Sequence, residues 1–223
     1  MPGTPLPMKR REFSAAMLGA GAAALGSGEA AQAQGGPIEG KHYVRLSQPV
    51  PVSAGPGKIE VIEFFWYGCP HCNAFEPALD QWSRQLPADV VFSRVPVAFS
   101  STPFVAHQRI FYALDSLGLV AAMHRKVFYA IHNERMRLDQ PAEISALMAK
   151  NGVDPAKFME AYGSFSIQAK LAHANQLVDG YKIDGVPAIG VHGRFYTSGT
   201  LAGTNEKSLA VADVLLQKLR KNA

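Results

Sequence analysis

The chain has 223 residues, 48% of them hydrophobic, enough for one medium domain with a real core or for one domain carrying a large insertion. Its formal charge of +4, from 22 Lys and Arg against 18 Asp and Glu, is too mild and too scattered for a nucleic-acid footprint, and no basic patch interleaved with aromatics accompanies it. Cys69 and Cys72 are the only two cysteines, so no second pair competes for a disulfide within the chain or completes a four-thiolate metal site.

Residues 1–33 read as a targeting segment and are set aside from fold reasoning. Lys9-Arg10-Arg11-Glu12-Phe13-Ser14 is similar to the twin-arginine export motif, with Phe after the Arg pair. A weakly apolar stretch from Ala15 to Gly28 follows, and Ala31-Gln32-Ala33 has the small-x-small form of a cleavage site, giving a mature chain that begins near Gln34. The stretch is Ala/Gly-rich rather than Leu-rich, which suits the twin-arginine route better than the general secretory one. A disordered tail or an uncleaved anchor is the alternative, and Met8 is an alternative start to Met1. The leader carries Lys9, Arg10 and Arg11 against Glu12 and Glu29, so its removal lowers the charge by one. No other apolar run is long enough to span a membrane. The mature chain is expected in a bacterial periplasm, where disulfides form and persist.

Gln34 to Gly40 is a Gly-containing tail, Tyr43 to Leu46 a short strand, and Pro49 to Gly57 a Pro/Gly/Ser-rich loop. Ile59 to Phe65 is apolar apart from Glu60 and Glu63, the pattern of a central strand buried on both faces. It leads through Trp66-Tyr67-Gly68 into Cys69-Pro70-His71-Cys72, and Asn73 to Gln85 has helical periodicity. Val90 to Val95 reads as a second buried strand. From Thr102 the period is helical: Phe104 to Leu117, Val120 to Ile131, Pro141 to Lys150, a helix capped by Asp154-Pro155, and a long helix from Ser166 to Gly180. Ala188 to Val191 and Arg194 to Tyr196 are strands joined by a His192-Gly193 hairpin turn. Glu206 to Lys221 is a terminal helix with Leu209, Val211, Val214, Leu215 and Leu219 facing inward and Lys218, Arg220 and Lys221 near its C-terminus. This order predicts a thioredoxin-type α/β fold with an all-helical insertion domain. The expected parts are the signal peptide at 1–33, the first thioredoxin-fold part at 34–101, the helical insertion at 102–182, and the second thioredoxin-fold part at 183–223.

A C-x-x-C at a strand-to-helix junction is a thiol redox signature. Cys69 falls at the helix N-cap, where unpaired N–H groups and the helix dipole favour a thiolate, and His71 adds positive charge or a donor. A stabilised thiolate is a good leaving group, so a disulfide that contains it is easily reduced. The competing roles are a structural disulfide, weakly motivated because so short a loop constrains the unfolded chain little, and half of a zinc site, for which the seven His show no metal-like pairing. Taken by themselves, Glu63 reads equally as a strand-edge carboxylate, and Glu76 and Arg94 as solvated surface charges. His107, His124, His132, His173 and His192 read as ordinary helix or loop residues. Met123, Met148 and Met159 read as core, and Trp66 and Tyr67 as packing or groove-lining.

Glu63-Phe64-Phe65, Cys69-Pro70-His71-Cys72, Phe75-Glu76 and Gly185-Val186-Pro187-Ala188 together resemble the periplasmic thiol:disulfide oxidoreductase DsbA family, and the resemblance covers most of the mature chain. It implies that Cys69 is the nucleophilic, mixed-disulfide cysteine and Cys72 the buried resolving one, with Pro70 and His71 tuning the potential. It implies that Val186-Pro187 is a cis-proline loop beside the disulfide that pairs with extended substrate; Trp66, from its place just before the motif, is a candidate groove-lining substrate contact. Glu63 matches the family's buried acid and is a candidate proton acceptor for Cys72; Glu76 matches a second acid, and Arg94 stands where Lys is frequent. The chain departs from the family pattern at Val95-Pro96, where some members carry His, at Trp66-Tyr67-Gly68, and in lacking a second disulfide.

The implied function is a monomeric dithiol oxidase that donates the Cys69–Cys72 disulfide to unfolded exported polypeptides with free thiols. No cofactor other than that disulfide, no metal and no nucleic acid is implied. Re-oxidation would come from a DsbB-like, quinone-linked membrane oxidase. The alternatives are a specialised reductase or isomerase and a thiolate metal chaperone. About 25 residues between the cleavage site and the first core strand leave no room for an isomerase's dimerisation domain.

Overall fold

Every residue of Ile59–Phe65 is buried, and the fold is arranged around that strand. In chain order, residues 35–221, the part that the computed structural model describes, form β1 (Val44–Arg45), β2 (Ile59–Phe65), α1 (Pro70–Ser83) and β3 (Val90–Pro96). Helices α2 (Phe104–Ser116), α3 (Val120–His132), α4 (Pro141–Lys150), α5 (Pro155–Gly163) and α6 (Phe165–Tyr181) follow, then β4 (Ala188–Val191), β5 (Phe195–Ser198), α7 (Gly199–Ala202) and α8 (Asn205–Lys221). The twin-arginine motif and the Ala31-Gln32-Ala33 cleavage site lie outside the described residues.

The strands make one sheet in the order β1-β5-β4-β2-β3. β2 runs parallel to β3 and antiparallel to β4, and β5 pairs antiparallel with both β4 and β1. Because side chains alternate along a strand, β2 feeds two cores. Val61 packs with Phe75 and Leu79 of α1 and Leu215 of α8. Ile62 and Phe64 pack with Ile110 of α2, Phe128 of α3 and Leu171 of α6. Helices α2, α3 and α6 therefore build the core on one face of the sheet, with α5 packed on α2 and α4 on α5, while α1 and α8 cover the other face.

Two expectations need correction. Val90–Pro96 is an edge strand that pairs with β2 alone, and its Val91 is 40% exposed rather than buried. On α8, Val214 is 39% exposed while Ala212 and Leu216 are buried, so the inward stripe runs Leu209, Val211, Ala212, Leu215, Leu216, Leu219 at the i, i+3 and i, i+4 spacings that one helix face allows. The one-turn helix α7 has no counterpart in the periodicity, being too short to show one.

Local chemistry explains the ends of the elements. Asp154 caps α5 by accepting the N–H groups of Ala156 and Lys157, with Pro155 in the first turn. Pro77 sits inside α1 and lacks an N–H, which leaves the Asn73 carbonyl without its helical partner; Arg125 of α3 donates to that oxygen at 3.2 Å. At the β4–β5 turn, His192 and Gly193 both have positive φ, +50° and +62°, the backbone of a two-residue I′ hairpin loop. The Gly193 N–H donates to the Tyr181 hydroxyl at 2.7 Å, and its carbonyl accepts from Val50 at 2.8 Å. A side chain on Gly193 would collide with the Val50 carbonyl and strain the left-handed backbone. Gly193→Ala is therefore expected to cost at least about 2 kcal/mol, a fall of roughly 4–8 °C in the melting temperature. Thermal unfolding of the purified variant checks this, and a loss within about 0.5 kcal/mol would contradict it.

Candidate active site

β2 ends at Phe65, and a tight turn follows in which the Cys69 N–H donates to the Trp66 carbonyl at 2.9 Å. Gly68 is required there, because the Trp66 indole lies where its Cβ would be. Cys69 is the N-cap of α1: its backbone is extended, and its Sγ accepts the Cys72 N–H at 3.4 Å. Both cysteines are free; Cys69 is 7% exposed and Cys72 fully buried one turn into the helix. The two thiols sit in opposite electrostatic settings. The hydrogen bond from the Cys72 thiol, followed by the N–H groups of Cys72 and His71 and the His71 charge, outweighs partial burial and brings Cys69 down to about 6. Burial first, then the hydrogen bond to Cys69 and the charges of Cys69 and Glu63, pushes the Cys72 thiol far up. The arrangement holds a thiolate at Cys69 and a protonated thiol at Cys72 at neutral pH.

Beneath the cysteines lies a buried charge cluster. Glu63, in β2, is fully buried, and Glu76, in α1, is 1% exposed. Arg94 of β3 donates from Nε to Glu63 at 3.0 Å and from a terminal nitrogen to Glu76 at 3.3 Å. The other oxygen of Glu76 lies 3.1 Å from His124 Nε2, and His124 Nδ1 lies 2.8 Å from the Tyr67 hydroxyl. Burial, reinforced by the Glu76 charge, raises the Glu63 carboxyl well above the ordinary range, with Arg94 opposing. For Glu76 burial works upward, but the His124 hydrogen bond and the nearby cations win and hold it low. Burial lowers His124. Glu76 and Arg94 are thus interior groups, not the solvated charges that their sequence context allows.

The Val186–Pro187 peptide is cis. The Val186 carbonyl lies 3.5 Å from Cys69 Sγ and can accept its hydrogen in the thiol form. His71, exposed beside it, joins Val186, Pro187, Tyr196 and Thr200 around a cleft of about 680 Å³. Trp66 does not line that cleft; it is half-buried and stacked on Phe104 at 4.1 Å. Among the described residues no group of His, Cys, Asp and Glu is placed to hold a metal ion.

A family model for the DSBA-like thioredoxin domain matches residues 91–206. The thiol:disulfide interchange protein DsbA of Pseudomonas aeruginosa is 46% identical over 184 residues, 82% of this chain and 86% of that protein. The chain belongs to the DsbA family. The DsbA of Bordetella pertussis is 44% identical over 95% of this chain and 97% of its own. The crystal structure of P. aeruginosa DsbA superposes with a TM-score of 0.80 at 45% identity, covering 83% of this chain and 95% of that one; that of Xylella fastidiosa DsbA gives 0.77 at 30% identity, covering 83% and 98%. The protein is a thiol:disulfide oxidoreductase of thioredoxin-like fold. The family model begins beyond the cysteines, but an alignment over 82% of the chain cannot avoid residues 69–72.

Within this DsbA-type site, sequence reasoning missed His124 and the part of Tyr67 in the polar network. The signal was present: His124 falls between Met123 and Val127 on the stripe that α3 buries, a place where a polar residue needs a partner. The thiol asymmetry has a measurable consequence. Cys69 titrates lower in the fold than in the unfolded chain, so its thiolate stabilises the reduced protein above the ordinary thiol range, and that contribution is lost as pH falls through about 6. Thiolate absorbance of the reduced protein is expected to show one thiol titrating near pH 6. The excess stability of the reduced over the oxidised form should shrink between pH 8 and pH 5. A midpoint near the free-thiol value of about 8.5 would refute this.

Proposed function

We propose that the oxidised protein, with a Cys69–Cys72 disulfide, donates that disulfide to unfolded polypeptides in the periplasm. The asymmetry of the two thiols carries the reading. A substrate thiolate attacks Cys69 Sγ, the S–S bond breaks, and its electron pair leaves on Cys72, which takes up a proton. Glu63 is the proton carrier for Cys72, giving its carboxyl proton to the departing sulfur and recovering one when Cys72 is re-oxidised. A second substrate thiolate then attacks the substrate's own sulfur in the mixed disulfide, and Cys69 departs as the thiolate that its N-cap position stabilises. The reaction needs no cofactor beyond the disulfide.

Val186 and Pro187 offer the backbone against which an extended substrate segment lies, with His71 at the edge of the cleft. Trp66, stacked on Phe104, adds a second apolar surface. Pro70 and His71 tune Cys69, while Glu76 and Arg94 act through Glu63. The chain works as a monomer that is re-oxidised by a DsbB-like, quinone-linked membrane protein. Its leader at 1–33 directs export through the twin-arginine route and is cleaved near Ala33-Gln34. Residues 102–182 form an insertion between the thioredoxin-fold parts at 34–101 and 183–223.

Equilibration with glutathione tests the direction of electron flow. The disulfide is expected to have a potential above about −200 mV, whereas a value near the thioredoxin potential of about −270 mV would reassign the protein as a reductase. Cys72→Ser should accumulate the mixed disulfide at Cys69, and Cys69→Ser should abolish exchange; stoichiometric retention of zinc or Cu(I) through purification would favour the metal chaperone instead. The export route is checked by fractionating cells that carry Arg10→Lys with Arg11→Lys. That variant should stay in the cytoplasm, and its normal export would rule out the twin-arginine route.

A further inference from the structure

His124 makes two polar contacts inside an aromatic cage. The rings of Phe65, Tyr67, Phe111 and Phe128 have centroids 5.1, 5.1, 5.9 and 5.2 Å from its own, and its side chain is 5% exposed. Nε2 faces Glu76 at 3.1 Å and Nδ1 faces the Tyr67 hydroxyl at 2.8 Å. An ionised carboxylate can only accept. If Glu76 is charged, Nε2 carries the imidazole proton, Nδ1 is the acceptor, and Tyr67 donates to it. Every polar atom of the imidazole is then satisfied with the ring neutral.

The carboxylates beyond it are not symmetric. Two carboxyls share one guanidinium, so they compete for it, and like charges at close range favour a single shared proton. Glu76 has two donors, Arg94 and His124, one for each oxygen. Glu63 has one, Arg94 at Oε2, while its Oε1 is buried with no partner. An unpartnered buried oxygen is where a carboxyl proton costs least, because protonation there breaks no hydrogen bond and removes a buried charge. The other groups that face the cluster are Cys69 and Cys72 at the start of α1, Asp80 further along α1, Tyr67 in the turn, and Arg125 on α3. Arg125 lies toward Glu76, which reinforces the asymmetry.

We propose that His124 is a positioning residue: by donating its Nε2 proton to Glu76, it keeps the proton shared by the two buried carboxyls on Glu63. Without that donor the two carboxylates hold Arg94 on more equal terms, and the proton passes in part to Glu76, away from the carboxyl whose charge acts on Cys72. His124 thereby fixes the place of the proton that the disulfide-opening step consumes. This rests on the reading of Glu63 as the proton carrier of Cys72.

Carboxyl-carbon and imidazole-nitrogen NMR titrations of the oxidised wild-type protein, the form in which that proton is still on a carboxyl, test it without reference to activity. A neutral His124 protonated on Nε2, with Glu76 ionising at lower pH than Glu63, is expected; a proton on Nδ1, or the opposite order of the carboxyls, overturns the proposal. In His124→Leu, the Glu63 titration should move down by about one to two pH units and the Glu76 titration up, the size expected for one lost charge-assisted hydrogen bond. His124→Gln places an amide donor near the Nε2 position and should restore the wild-type order. An unchanged order in His124→Leu refutes the proposal; should that variant fail to fold, the wild-type tautomer and order still decide. Kinetically, the rate of mixed-disulfide formation with a reduced peptide, corrected for its thiolate fraction, should fall at high pH. That fall should begin at lower pH in His124→Leu but not in His124→Gln. A Glu63→Gln enzyme with an unaltered pH profile would remove the proton-carrier reading, while the titrations judge His124 on their own.

Discussion

One guanidinium holds the interior together. β2 is buried on both faces, so a carboxylate within it reaches no water, and an isolated buried charge costs several kcal/mol. Arg94 compensates Glu63 because the parallel register sets the two residues opposite each other in neighbouring strands. A slip of one residue would turn Arg94 to the other face of the sheet. Arginine suits the place because its planar fork presents separate donors to two acceptors at fixed angles. One nitrogen serves Glu63 and another serves Glu76, which ties β2, β3 and α1 together at one point. Breaking such a pair from one side costs about 3–5 kcal/mol, whereas the exposed Arg84–Asp80 pair is worth no more than about 1 kcal/mol. At the sheet edge where β3 lies, the side chain of Arg94 remains 15% exposed.

The helices between β3 and β4 complete what the sheet leaves open. Pro77 removes a hydrogen bond from the first turns of α1, and Arg125 of α3 replaces it at the Asn73 carbonyl. Tyr67 leaves the turn before Cys69 with its hydroxyl buried, and α3 meets it with His124. His132, a further two turns along α3, lies 2.8 Å from the Tyr67 carbonyl. Three residues of one helix face thus anchor the turn and helix that carry the cysteines. A thioredoxin-type sheet with α1 and α8 alone would leave these polar groups without partners.

How much of this the sequence discloses depends on whether the cause is local. β2, α1, the five central helices and the His192-Gly193 hairpin could be read because period, caps and turn residues act within a few positions. The edge status of β3 could not, because Val90 to Val95 has the same apolar character whether a strand lies on one side or on both. α7 is shorter than one period. The redox motif was readable because its residues are adjacent, but its setting was not. Glu76 and His124 are 48 residues apart in the chain and 3.1 Å apart in space, and nothing in either segment announces the other. The usable clue was negative: Glu76 between Phe75 and Leu79, and His124 between Met123 and Val127, both occupy stripes that their helices bury.

The site separates two tasks that a dithiol must perform. How readily the disulfide accepts electrons depends on how stable the products are, and the product that gains most is the Cys69 thiolate, held by the Cys72 thiol and by the N–H groups at the start of α1. How fast the bond opens depends on Cys72, whose sulfur leaves into a buried place that does not tolerate a thiolate and so must be met by a proton. The first task is local to four consecutive residues and one helix end. In the proposed mechanism the second draws on β2, β3, α1 and α3 together. Changes between the cysteines should therefore shift the potential while leaving the proton supply in place, and changes in the carboxylate cluster should alter the rate and its pH dependence with less effect on the potential. On the proposed mechanism, the short motif can vary to set the driving force because the proton comes from the fold rather than from the motif.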